Sequence, residues 1–238
     1  MPIDLAEEWT SVVGESQHSV DCWATLVGRW AEPHRRYHGV GHLSAVLLFI
    51  DEYADHAEDL DAVRLAAWYH DAVYDPRASD NEERSAVLAE NELAALSLPS
   101  DRIREVARLV RLTADHDPAD GDRNSELLND ADLMVLASPP EAYVAYLNAI
   151  REEYAHVSDE DFGAGRRAVL EALLASPRLF RLEAMAPSEA AARQNMTAEL
   201  TLLRPDPAET PAPASEPERA QDAAADRPAA DPPEPPDR

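Results

Sequence analysis

Lysine is absent from this chain: all 21 basic residues are arginine, set against 47 acidic ones, for a net charge of −26. Such a balance argues against a nucleic-acid backbone as the main partner, because phosphates attract basic rather than acidic surfaces. A small phosphate ester in a local arginine-lined pocket stays compatible with it. Cysteine occurs once, at Cys22. An intrachain disulfide and a thiolate metal cluster are therefore both excluded, which suits a reducing compartment. Glycine is scarce at seven residues and aromatics make up 6%, which favours helices over a turn-rich β fold. No apolar run approaches the ~18 residues of a membrane span, and the first residues lack a basic start and an apolar signal core. The expectation is a cytoplasmic protein with no membrane partner. Walker-type phosphate loops, nucleophile elbows and dinucleotide-binding glycine patterns are missing too.

What is present is helical periodicity. Asp4 is placed to cap a helix with Leu5, Trp9, Val12 and Val13 on one face, and Val20, Trp23, Leu26, Val27 and Trp30 follow the i, i+3, i+4 rule. Further helices are expected over about 42–55, 61–74, 80–96, 126–137, 140–157, 159–175 and 188–203, with another capped by Ser100 or Asp101 and carrying Ile103, Val106, Leu109 and Val110 on its apolar face. Asp80 with Glu83 has capping-box spacing. The expected fold class is all-α, a compact multi-helix bundle over residues 1–204. Beyond it, residues 205–238 hold 10 of the 19 prolines, nine acids and three arginines. Such a segment cannot bury enough surface to offset its ordering entropy, so it reads as a disordered acidic tail. A solvating extension is the plainer account of it, partner binding the alternative.

The chemistry centres on His70-Asp71, adjacent polar residues inside the apolar run 65–74. An unpartnered buried carboxylate costs several kcal/mol or takes up a proton. A divalent cation resolves that cost by accepting both the imidazole and the carboxylate. Other ligands are on hand: His42 lies 28 residues upstream, and Asp130 and Asp132 lie about 60 residues downstream.

This order of residues resembles the HD superfamily of metal-dependent phosphohydrolases, named for a His, a His-Asp doublet and a distant Asp. The match is His42, His70, Asp71 and Asp132. Asp132 is favoured over Asp130 because the family's last ligand follows an Ala and precedes an apolar helical run, as in Ala131-Asp132-Leu133-Met134-Val135-Leu136. Arg35-Arg36-Tyr37-His38, Asp80 to Ser85, Thr113 to His116 and Ile150 to Tyr154 extend the similarity to one bacterial subfamily, over roughly residues 20–182.

The resemblance implies a helical metal site. It also implies hydrolysis of a phosphomonoester or nucleotide-like phosphate, a small phosphorylated substrate, by metal-activated water. Mn, Fe, Co, Ni, Zn and Mg all suit nitrogen and carboxylate donors. Asp71 and Glu82 are the candidate catalytic carboxylates. With no lysine, phosphate binding falls to arginine, whose planar fork grips oxygens in pairs; Arg35 and Arg151 lead, with Arg36 and Arg166 behind. His38 has a zinc-like spacing to His42, but Gly39 and Gly41 argue against a helix there, so His38 is expected to support the ligands or touch substrate. His116 is a possible ligand for a second metal. Two other readings compete: an HD-fold di-iron oxygenase, which needs extra histidines such as His38 and His116, and a non-enzymatic acidic binding protein.

Overall fold

Ten α-helices and three short 3-10 turns account for the regular structure in a computed structural model that describes residues 3–203, with no strand among them. The segment 205–238, expected to be a disordered tail, lies outside the described residues. The helices are α1 (Leu5–Val13), α2 (Gln17–Trp30), α3 (Val40–Glu52), α4 (Leu60–Tyr69), α5 (Asn81–Ala95), α6 (Ser100–Leu112), α7 (Arg123–Leu133), α8 (Pro140–Glu153), α9 (Asp159–Ala175) and α10 (Glu189–Leu202). None is long and apolar enough to cross a membrane.

Local chemistry sets several starts. Asp4 accepts from the amides of Ala6 and Glu7, Asp59 from Ala62, Asp122 from Ser125 and Ser158 from Asp161. Each satisfies an amide that a helix start leaves without an intrahelical partner. Ser16 and Ser19 cap α2 reciprocally. Two expected caps do not form. Asp80 precedes α5 without a side-chain cap, because Glu83 reaches instead to Arg111 at 2.6 and 2.8 Å. Ser100 falls inside α6, which follows Pro99.

α4 is the central helix. Ala62, Val63 and every residue from Leu65 to Tyr69 are buried, which is the mark of a helix packed on all sides. It contacts α1, α3, α5, α6 and α7. Trp9 meets Trp68 edge-to-face at 5.4 Å between ring centroids, a favoured geometry for aromatic pairs. Two of the buried indole nitrogens find acceptors, Trp9 Nε1 donating to Ser19 O and Trp30 Nε1 to Trp68 O, both at 3.0 Å, while those of Trp23 and Trp68 have none among the described residues.

The doublet was expected inside a helix running to Tyr74, but α4 stops at Tyr69 and His70 is its C-terminal cap. Tertiary partners take the backbone groups beyond. Arg35 Nη1 donates to Asp71 O at 2.8 Å, Arg35 Nη2 to Ala72 O at 3.3 Å, and the Val73 amide donates to Ser85 Oγ at 3.0 Å. A helix continued to Tyr74 would have needed the Val73 amide for its own ladder.

Candidate metal centre

Three helices deliver the central donors. His42 lies in the first turn of α3, His70 caps α4, and Asp132 lies in the last turn of α7. The imidazoles are buried, with 7% and 1% exposure. Their Nε2 atoms face each other at 3.1 Å. Asp132 Oδ1 lies 3.0 Å from His42 Nε2 and 3.7 Å from His70 Nε2. Asp71 Oδ2 flanks the other side, 3.3 Å from His70 and 3.9 Å from His42. His42, His70 and Asp132 form a group able to hold a metal ion.

The donor set fits a cation on two grounds. His70 Nδ1 donates to Ala67 O at 2.8 Å, so the neutral ring keeps its lone pair on Nε2, the tautomer a metal ligand needs. The facing His42 Nε2, 3.1 Å away, is close enough for the two rings to share a proton or, with both neutral, one metal ion. Spacing agrees: adjacent donors on bonds of about 2.1 Å stand about 3.0 Å apart around an octahedral ion, and the separations here begin at 3.0 and 3.1 Å.

Charge favours the same occupant. Burial works against ionising Asp71 and Asp132, yet the neighbouring His70 overrides it and holds both carboxyls well below their usual range. Burial also opposes charging His70, but the two carboxylates lift its pKa to about 9. The pocket is thus built to hold positive charge.

Behind this cluster sits a carboxylate that the sequence did not single out for the site. Glu153, at the end of α8, has a fully buried side chain. Its Oε1 accepts from the three consecutive amides of Arg36, Tyr37 and His38, at 2.6, 2.8 and 3.0 Å. Its Oε2 accepts from His38 Nδ1 at 2.7 Å and Tyr74 Oη at 2.8 Å. Burial alone would raise its pKa, but His38 and these donors bring it down to about 2. Glu153 therefore fixes the loop before α3 and orients His38, leaving His38 Nε2 uncommitted. The available sequence signal was an acid on the apolar stripe of α8, in register with the buried Tyr143 and Ile150. Aromatic rings line the same region: Tyr37 is 4.8 Å from the His42 ring and Trp30 5.4 Å from that of His70.

Other expected residues fall elsewhere. Arg35 is buried, and its guanidinium is spent on Glu32 Oε2, His38 O, Asp71 O and Ala72 O. It braces the doublet instead of offering an open phosphate fork. Arg151 grips Asp159 and the carbonyls of Tyr154 and Val157, and stacks on Phe162; no contact joins it to the His/Asp cluster. Arg166 pairs with Glu199 through two hydrogen bonds, and Arg36 with Glu152. Glu82, in the first turn of α5, makes no hydrogen bond to the cluster among the described residues. His116 does approach it, with Nε2 3.8 Å from Asp132 Oδ2.

Asp130 and Asp132 separate by role. Asp130 is fully buried, and its carboxylate accepts from the amides of Arg181 and Leu182 at 2.8–2.9 Å. Asp130→Ala strands those amides, at roughly 1–3 kcal/mol for each buried donor. We expect a stability loss of about 2–4 kcal/mol in urea denaturation, with any bound metal retained. Loss of metal at unchanged stability would reverse the two assignments. Comparison of the chain with family models, curated proteins and solved structures yields no match, so the reading of this site rests on its own geometry.

Proposed function

We propose that the chain is a metal-dependent phosphohydrolase of the HD type, cleaving a phosphomonoester or a nucleotide-like phosphate. The observation that carries this reading is the convergence of His42, His70 and Asp132 from three helices, with Asp71 against the same two imidazoles. These four residues hold the ion, which is Mn, Fe, Co, Ni, Zn or Mg by donor chemistry. When bound, such an ion supplies Lewis acidity toward a phosphoryl oxygen and a water of lowered pKa.

The chain's own residues do the rest. His42, His70, Asp71 and Asp132 would hold the ion and leave room beside it for water and substrate. Trp30 and the buried imidazoles exclude bulk water from the floor. His38, with Nδ1 held by Glu153, brings Nε2 to the phosphoryl group. It takes over the task expected of Arg35 and Arg151, whose donors are committed. The substrate's cationic contacts are then the ion and imidazoles, which suits a compact phosphate better than an extended polyanion.

The test is a panel of phosphomonoesters and nucleotides offered to protein reloaded with each ion in turn. Release of inorganic phosphate that stops with a chelator and returns with metal is the expected result. His38→Ala is expected to keep its metal and lose turnover by about 10²–10³-fold, the usual scale for one donor aimed at developing negative charge. No phosphate release from any substrate with metal bound would remove the hydrolase reading. One observation favours the di-iron oxygenase reading, the approach of His116 to Asp132; oxygen consumption by iron-loaded protein would select it.

A further inference from the structure

The loop 113–122 between α6 and α7 carries His116 in a backbone conformation that side chains avoid, with φ +51°. A non-glycine residue stays there only when its surroundings overdetermine it. His116 Nε2 faces Asp132 Oδ2 at 3.8 Å, while its Nδ1 is buried and has no hydrogen-bond partner. Its own side chain therefore supplies little to hold the turn.

The hold comes from Arg181, in the segment between α9 and α10. Its side chain is only 12% exposed and crosses to the loop, with Nη2 3.2 Å from Asp117 Oδ1 and Nη1 3.1 Å from Asp120 Oδ1. The two carboxylates lie on the C-terminal side of His116, so the guanidinium pins the loop at two points. Arg181 is itself fixed, because its amide is gripped by both oxygens of Asp130. Asp130 stands two residues before Asp132 on the same helix. The contacts close a circuit: α7 holds Arg181, Arg181 holds the loop, and the loop presents His116 back to α7.

We propose that Arg181 is a positioning residue for the metal centre, keeping His116 against the outer oxygen of Asp132 so that Oδ1 stays turned toward His42 and His70. The inference rests on the metal reading above and adds to it a residue that touches neither ion nor substrate. A hydrogen-bonded outer partner of a carboxylate ligand is worth roughly 10–100-fold in metal affinity, and His116, at 3.8 Å from Oδ2, is within ion-pair but not hydrogen-bond reach. Exposed ion pairs alone are weak. Here one shielded arginine fork and two carboxylates act as a network, so an effect near the lower end is expected.

The experiment uses the full chain, stripped with a chelator and titrated calorimetrically with Mn²⁺. Wild type is compared with Arg181→Ala, the pair Asp117→Asn/Asp120→Asn, His116→Ala, and Arg181→Ala combined with His116→Ala. The expected result is Kd about tenfold weaker in each of the first three, with the combined variant no weaker than His116→Ala alone, because both changes remove one interaction. Wild-type affinity in the Arg181 and Asp117/Asp120 variants, or losses that multiply in the combination, would overturn the proposal while leaving the centre intact. No Mn²⁺ uptake by wild type would overturn the centre and this proposal together. If Arg181→Ala fails to fold, the Asp117/Asp120 pair decides alone, since those side chains are 85% and 91% exposed.

Discussion

Asp132→Ala is expected to empty the metal centre: elemental mass spectrometry should find one or two divalent ions per wild-type chain and none in the variant. Asp132 is the one carboxylate in the tight donor group with His42 and His70, and its Oδ1 is the oxygen nearest His42, at 3.0 Å. Removing it leaves two neutral imidazoles and the flanking Asp71, so the loss should exceed the roughly 10–100-fold that follows from disturbing an outer partner. The two states of the protein separate this effect from misfolding. Without metal, Asp132 still pairs with His42 and His70, so the metal-free variant should melt below the metal-free wild type, and the readout is the shift each protein shows on adding metal. With metal, only the wild type should gain. Ligand at about a thousand times Kd adds about 4 kcal/mol. For a domain of this size each 1 kcal/mol is worth about 2–4 °C, so the wild-type shift should be on the order of 8–16 °C. Equal metal-induced shifts in both proteins would remove Asp132 from the ligand set.

The second large effect is on folding. Glu153→Ala should cost about 4 kcal/mol or more in urea denaturation, because it strands buried donors that each cost about 1–3 kcal/mol when unpaired. The amides of Arg36, Tyr37 and His38, the Tyr74 hydroxyl and His38 Nδ1 all end on that one carboxylate. Against a total stability of about 5–15 kcal/mol this is a large share. Acid titration provides an independent readout. The folded-state pKa is depressed from 4.5 to about 2, so the ionised carboxylate contributes its full stability above pH 4.5. That contribution fades as pH falls toward 2. It is worth at most about 3 kcal/mol, one pKa unit being about 1.4 kcal/mol. Glu153→Gln, which cannot ionise, should be less stable at neutral pH and should lose part of the wild-type decline between those pH values. A variant within 1 kcal/mol of wild type would show that the 36–38 loop is held by something else.

The helices were legible because their signals are local. Asp4, Asp59 and Ser158 cap the helices that follow them, and the apolar spacing from Val20 to Trp30 lies within α2. The failures were local signals overruled from a distance. Arg111 draws Glu83 out of a capping box, and α4 ends five residues before the expected Tyr74, where Arg35 takes the carbonyls that follow His70. Within the site, the buried doublet announced itself as polar residues in an apolar run. His42 and Asp132 followed only from the family's ligand order.

Composition and periodicity by themselves determined that the described residues are helical, that a disulfide and a thiolate metal cluster are excluded, and that His70 and Asp71 need a charged partner. Those conclusions depend on residue type and near-neighbour spacing. Tertiary structure decided which of two aspartates meets the histidines, that Arg35 is a brace, and that Glu153 and Arg181 hold the loops on either side. The reason is geometric: these roles depend on which donors lie within about 3 Å, and contacts such as Glu153 with Tyr37 join residues 116 positions apart. A cation such as Arg35 is free to bind substrate only if the folded backbone has left its donors unused, and here the turn after α4 uses them.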